Sequence, residues 1–338
     1  MEKSLDEKLA TLAENPAANC FILADAKDPD MARGIASAGK NADGTRRSVT
    51  DLRDQIREIV NQGLVDIMLM SASTSEVLAL EEKIFDTSPV TPAVRANDTT
   101  DIHIVRGGCY PTAPARPFMS TTIDHIQAGK TACSPAERLR GPNLGLYSVT
   151  FNNIPERDLE TLEAYKAFRI EAESKGFRHF LEVFAPNVPA ELHHLSPEVI
   201  PAFMNDHIVR MLAGLPKSSR PCFLKLPYLG PRAIEELCTY DPTIIVGVLG
   251  GSAGTTHDAF HLLEDAKKHG ARVALFGRKI IAAEHQLSFV AHLRQVADGA
   301  LTALDAVRSY HGDLAKLNIR PHRSLQDDLT LTSTQFAY

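Results

Sequence analysis

No excess of positive charge runs through this chain. Its 36 lysines and arginines stand against 42 aspartates and glutamates, a formal net charge of −6. A mildly acidic chain has no electrostatic case for wrapping nucleic acid or clinging to an anionic membrane. Any phosphate it takes must be held locally, by a few donors. No apolar run approaches the roughly 18 residues of a membrane span. No signal peptide is recognisable, because the first fifteen residues are charged throughout. Cysteine is scarce and unpatterned: there are five, an odd number, with no CxxC pair. Cys20 and Cys222 lie in apolar stretches and read as small core residues. These absences predict a reduced, cytoplasmic protein without nucleic-acid or membrane partners. Sequence repeats are also missing. What remains, 44% hydrophobic and 23% charged residues over 338 positions, is an ordinary globular profile, which excludes a disordered chain, a collagen-like fibre or a disulfide mini-protein.

What is present is a rhythm of short apolar run, polar loop, amphipathic segment, glycine and next apolar run. The runs are Cys20–Ala24, Val65–Met70, Ile102–Val105, Leu144–Phe151, His179–Phe184, Cys222–Leu226, Ile244–Leu249 and Val273–Phe276. They are too short for buried helices and mostly apolar on both faces, as parallel strands covered on both sides must be. Helix punctuation fills the intervals. Ser48 with Asp51, Ser73 with Glu76 and Thr255 with Asp258 fit the capping pattern, and Pro155 and Pro231 stand at helix starts. Eight strands each followed by a helix predict a single-domain (β/α)8 TIM barrel over residues 17–311. An open doubly wound sheet would call for a glycine-rich phosphate turn after the first strand, and Ala24-Asp25-Ala26-Lys27 is not one. Residues 1–16 read as an N-terminal helix, with Ser4 and Glu7 as its cap. Residues 312–338 read as a polar tail that packs loosely or reaches a partner subunit. The long, Pro-rich stretch Gly107–Pro142 reads as an insertion over the active face.

In a barrel of this kind the chemistry lies where the strands end. Lys225 stands inside Cys222-Phe223-Leu224-Lys225-Leu226-Pro227. A buried lysine is costly without a partner or a task. Desolvation lowers its pKa, and a neutral amine can attack a carbonyl to form a Schiff base. Glu182 occupies a similar apolar setting one strand earlier. Adjacent strands are roughly 5 Å apart, so the two side chains meet if both point inward. Glu182 can then move protons, or serve as a plain ion-pair partner. Gly250-Gly251-Ser252-Ala253-Gly254 follows the seventh run and Gly277-Arg278 the eighth, the usual phosphate position of such barrels. Gly251, Ser252, Gly254, Gly277 and Arg278 are the candidate phosphate ligands. Asp25 and Lys27 end the first strand and Arg106 the third, which makes them candidates for the same pocket. His193 and His194 are neighbours and do not face one metal, so no metal is expected. Cys109 and Cys133 have no local base.

These segments together resemble the class I (Schiff-base) aldolases of the tagatose-1,6-bisphosphate aldolase type. Phe180-Leu181-Glu182-Val183-Phe184 looks like the family's fifth strand with its catalytic Glu. Cys222–Tyr228 looks like its sixth strand with the Schiff-base Lys. Leu249–Phe260 is similar to its S-A-G turn, and Ala274–Ile280 to its Gly-Arg turn. Ala24–Lys27 is a looser match to A-D-Q-R, with Lys27 where the family has Arg. The resemblance implies that Lys225 forms the imine, that Glu182 is the general acid/base and that Asp25 contacts substrate hydroxyls or assists proton transfer. Ser252, Gly254, Gly277 and Arg278 would hold a phosphate. The family's lysine near the start of strand four is absent, since Asn143-Leu144-Gly145 stands there. The expected protein is a lyase of a phosphorylated sugar or related keto compound, without a cofactor, assembled as a homo-oligomer. The alternatives are a transaldolase- or isomerase-type enzyme using the same lysine, or a non-catalytic phosphosugar-binding barrel.

Overall fold

A computed structural model of the chain describes residues 1–41, 43–97, 104–251 and 254–332. Eight parallel strands close into one barrel: β1 (Ile22–Lys27), β2 (Ile67–Met70), β3 (Thr91–Arg95), β4 (Leu144–Thr150), β5 (Arg178–Phe184), β6 (Leu224–Leu226), β7 (Val246–Leu249) and β8 (Val273–Phe276). β8 pairs with β1 to complete the ring. The helices are α1 (Ser4–Glu14), α2 (Pro29–Arg33), α3 (Val49–Gln62), α4 (Ala72–Ser75), α5 (Ile123–Ala128), α6 (Pro135–Arg138), α7 (Pro155–Ser174) and α8 (Ala190–His193). They continue with α9 (Ile200–Ala213), α10 (Pro231–Tyr240), α11 (Thr256–Lys268), α12 (Arg278–Ala282), α13 (Gln286–Asp298), α14 (Ala303–Lys316) and α15 (Leu325–Asp328). The fold is the TIM barrel that the rhythm of apolar runs predicts.

Seven apolar runs coincide with strands, and the third does not. β3 is Thr91-Pro92-Ala93-Val94-Arg95, paired with β2 and β4. Proline at the second position hides it, because a proline cannot donate to a ladder and marks a run as an unpromising strand. Ile102 and His103 lie outside the described residues, and Val105 is an exposed turn residue. Two capping expectations also shift. Ser48 and Thr255 form reciprocal capping boxes with Asp51 and Asp258, whereas α1 starts at Ser4 itself and α4 starts ahead of Ser73.

Strand side chains alternate between two apolar layers. Inside the barrel sit Ile22, Ala24, Leu69, Leu146, Phe180 and Phe223. Between strands and helices sit Leu23, Met68, Val149, Leu181, Val248 and Phe276. α1 closes the bottom of the barrel: its Leu5 and Leu12 join the interior cluster. Lys8 Nζ on the same helix reaches Asp66 Oδ1 at 2.7 Å, and Asp66 also accepts the Leu23 N–H at 2.8 Å. At the opposite end the insertion after β3 is pinned down by Asn187, whose Nδ2 donates to the carbonyls of Tyr110 (2.6 Å) and Ala113 (2.8 Å). Asn187 is in turn held by Asn152 at the end of β4, which donates to its Oδ1 and accepts its N–H. The tail expected from residue 312 starts later, because α14 runs on to Lys316. It then packs against its own chain, on the start of α11.

His179 of β5 lies in the outer layer, with Nε2 2.8 Å from the Tyr165 hydroxyl. Burial, helped by the charge of Arg169, pushes its pKa down to about 3. The folded chain therefore keeps the ring neutral while an unfolded chain protonates it below about 6.5. The unfolded state binds more protons between those two values, so stability is lost as pH falls through that window, by up to about 1.4 kcal/mol per unit. Urea unfolding from pH 7 to pH 4 should show this slope. His179→Gln should be less stable at pH 7 and have a shallower pH dependence; an unchanged slope would rule His179 out as the acid-labile group.

Candidate active site

The strand register brings the central pair together. Glu182 of β5 is opposite Lys225 of β6. Both share the inward face with Phe180 and Phe223, which lie one layer below and stack at 4.6 Å between ring centroids. Glu182 Oε1 lies 2.5 Å from Lys225 Nζ. Ser148 of β4, opposite Glu182 in the ladder, donates its hydroxyl to Glu182 Oε2 at 2.7 Å. The Arg95 guanidinium at the end of β3 stands 3.9 Å from the same oxygen, and its Nε donates to Asp28 Oδ2 at 2.5 Å. Asp28, Arg95, Glu182 and Lys225 are all buried. Their charges alternate in sign around the barrel mouth, so each desolvated ion has an opposite neighbour. The Lys225 side chain retains 9% exposure, against 2% for Glu182, so the lysine is the more accessible of the two.

Above this network lies a cavity of about 110 Å³. Its wall carries Lys225, Glu182, Arg95 and Asp28, together with Arg33, Gly250, Gly251, Gly277 and Arg278. Four cations stand against two carboxylates, which suits an anionic guest. The glycines are there for space. A Cβ on Gly250 would enter the Phe276 ring, and one on Gly277 would strike the Ala26 carbonyl. Gly251 and Gly254 have positive φ, +57° and +84°, where side chains are strained.

Several predicted site residues are elsewhere. Asp25 and Lys27 pair in register with Met68 and Met70, members of the outer layer, so they point at the helices and away from the cavity. They form a fully buried ion pair, Lys27 Nζ to Asp25 Oδ2 at 2.9 Å. Burial pushes the Asp25 pKa up and that of Lys27 down, and each partner opposes the shift of the other. The inward positions of this segment are Ala24, Ala26 and then Asp28. Period-two counting from Ile22 would have found Asp28. Arg106 sits in an exposed turn beyond β3; the buried arginine at that strand end is Arg95, hidden by the same proline that hid the strand. Ser252 lies outside the described residues. Gly254 turns its carbonyl to Lys279 Nζ at 2.6 Å. The start of α11 is not open to an anion, since Asp258 takes the N–H of Thr255 (2.6 Å) and Asp328 that of Thr256 (2.7 Å). Gly250 gives its own N–H to the Leu275 carbonyl at 2.7 Å, so the two turns meet the cavity through Gly251, Gly277 and Arg278 in its wall. Among the described residues no cluster of three or more His, Cys, Asp or Glu could hold a metal, and no helix is long and apolar enough to cross a membrane.

No protein-family model and no curated protein matches the sequence. Solved structures do resemble it. A Schiff-base-forming fructose-1,6-bisphosphate aldolase superposes with a TM-score of 0.61 at 15% identity, over 86% of this chain and 99% of its own. A fructose-bisphosphate aldolase from Slackia heliotrinireducens gives 0.65 at 13% identity, over 91% of each chain. A protein from Corynebacterium glutamicum gives 0.58 at 17%, over 89% and 99%. Identities this low establish a shared fold. They leave the chemistry to the site.

Asp25 and Lys27 yield a prediction that separates structure from catalysis. Lys27→Met strands a buried carboxylate and should cost about 3–5 kcal/mol, whereas the double change Asp25→Leu/Lys27→Met should recover most of that. Chemical denaturation measures both. A double variant as unstable as the single one would mean that the charges do more than compensate each other.

Proposed function

We propose that the protein is a class I aldolase-type lyase that makes or breaks a carbon–carbon bond beside a carbonyl in a phosphorylated sugar or related keto compound. The observation that carries this reading is the Lys225–Glu182 pair, 2.5 Å apart at the floor of a cavity. The Schiff-base aldolase fold of the solved neighbours adds support. When a carbonyl carbon approaches Lys225 Nζ, Glu182 is in reach to take the proton that the ammonium must lose. The amine adds to the carbonyl, and Glu182 returns the proton to the departing hydroxyl as water. The resulting iminium withdraws electrons from the neighbouring carbon–carbon bond, which breaks as a β-hydroxyl gives its proton to the same carboxylate. Ser148 and Arg95 hold Glu182 in place on its far side. Arg278, set between the two glycine turns in the cavity wall, suits a phosphate, and Arg33 adds a further charge to that wall.

Borohydride reduction in the presence of dihydroxyacetone phosphate should add the substrate mass to Lys225, read by intact mass and peptide mapping. Lys225→Met should fold and stay unlabelled. Labelling that persists in this variant would sink the assignment. Glu182→Gln should slow turnover by roughly 10²–10⁴.

Arg278→Ala should raise the half-saturating concentration of dihydroxyacetone phosphate by roughly 10- to 150-fold, with little effect on dihydroxyacetone. Equal losses on both compounds would assign Arg278 to scaffolding and point to a substrate without phosphate.

A further inference from the structure

The C-terminal segment runs from just beyond α12 to the start of α11. His322 donates its N–H to Glu284, two residues past α12, at 2.7 Å. Asp328 then fits under the first residues of α11: its Oδ1 accepts the Thr256 N–H at 2.7 Å, and its Oδ2 meets His311 Nε2 of α14 at 2.9 Å. The next residues continue along the same helix start. His257 Nδ1 lies 2.8 Å from the Leu329 carbonyl, and the Thr255 hydroxyl donates to the Thr330 carbonyl at 2.8 Å. Thr332 donates its N–H and its hydroxyl to Asp258, at 3.0 and 2.6 Å. Asp258 is the residue against which Gly254 is packed so closely that no Cβ would fit. Lys279 of α12 closes the circuit through the carbonyls of Gly254 and Thr255, at 2.6 and 3.0 Å. Thus the turn after β7 is gripped at its exit by Asp258 and Lys279, and both Asp258 and the first N–H of α11 are gripped by the tail.

We propose that residues 322–332 are a strap that sets the anion-binding turn after β7 against the one after β8, and that Asp328 is its positioning residue. Asp328 touches no substrate. It takes up an α11 N–H that would otherwise compete for the guest anion, and it fixes where the turn enters α11. This reading rests on the proposed anion site, and its consequence is specific. Loosening the strap weakens anion binding and leaves the amine on β6 as reactive as before.

The test uses inorganic phosphate as probe, with calorimetry on the full chain, and amide hydrogen exchange across Gly250–Thr256. Asp328→Ala should weaken phosphate binding about tenfold and speed exchange in that turn, with β4–β6 protected as in the parent. Asp328→Asn keeps an acceptor for Thr256 and should restore most of the affinity. Thr332→Val, a milder change at the far end of the strap, should weaken binding about threefold and serves if Asp328→Ala does not fold. Borohydride labelling of Lys225 by unphosphorylated dihydroxyacetone should proceed at the parent rate in every variant. Parental phosphate affinity in the Ala and Val variants would overturn the proposal, as would a parent chain that binds no phosphate. Exchange that rises equally over the whole barrel, with no rescue by Asn, would also overturn it, reducing the tail to general scaffolding. A parent chain that binds phosphate but is never labelled at Lys225 would instead refute the aldolase reading and leave the strap standing.

Discussion

The ion pair between Lys225 and Glu182 is the interaction around which the barrel mouth is organised. Neither charge is tolerable alone at that depth, and their contact at 2.5 Å exists only because two adjacent strands place them in register on the same face. A carboxylate has two oxygens to satisfy. The second is met by Ser148 from one side and faced by Arg95 from the other, and Arg95 needs Asp28 in its turn. Five elements of the chain are thereby bound to a common geometry. Stacked phenylalanines form the floor beneath it, and the cavity lies on the opposite side.

The face on which a residue falls decides its role more firmly than its type. Asp25, Lys27 and Asp28 lie within four positions of one another at the end of β1. The first two point outward and neutralise each other in the layer under the helices. Asp28, one step further, faces the cavity and completes the network of the mouth. In a strand a shift of one residue exchanges the two sides of the sheet, so identical chemistry becomes scaffold or site by parity alone.

The wall of the cavity next to β7 and β8 is assembled differently. It draws little from strand register and much from turns held at a distance. Helix starts attract negative charge, and this protein fills the start of α11 with carboxylates of its own, one from within the helix and one from the far end of the chain. The positive character of the cavity therefore comes from the side chains of Lys225, Arg33, Arg95 and Arg278, and the tight glycine turns, which could not accept a Cβ at Gly250 or Gly277, give it room.

The sequence by itself determined the barrel. Short runs apolar on both faces, spaced by capped amphipathic segments, have few other ways to hide their surface, and a lysine and a glutamate set in consecutive runs of this kind stand out because burial makes them expensive. Gly277-Arg278 was legible for the same local reason. Three things were decided only by the tertiary structure. β3 carries a proline that local rules read as a break, yet its neighbours on both sides supply the pairing that makes it a strand, and with it Arg95 was lost to view. The pleat assigned Asp25 and Lys27 to the outer layer, because facing depends on where a strand begins to pair and not on which residues it contains. And the tail met α11 across more than seventy positions of chain, a closeness to which no local pattern of hydrophobicity or charge gives access, since it comes from the closing of the barrel itself.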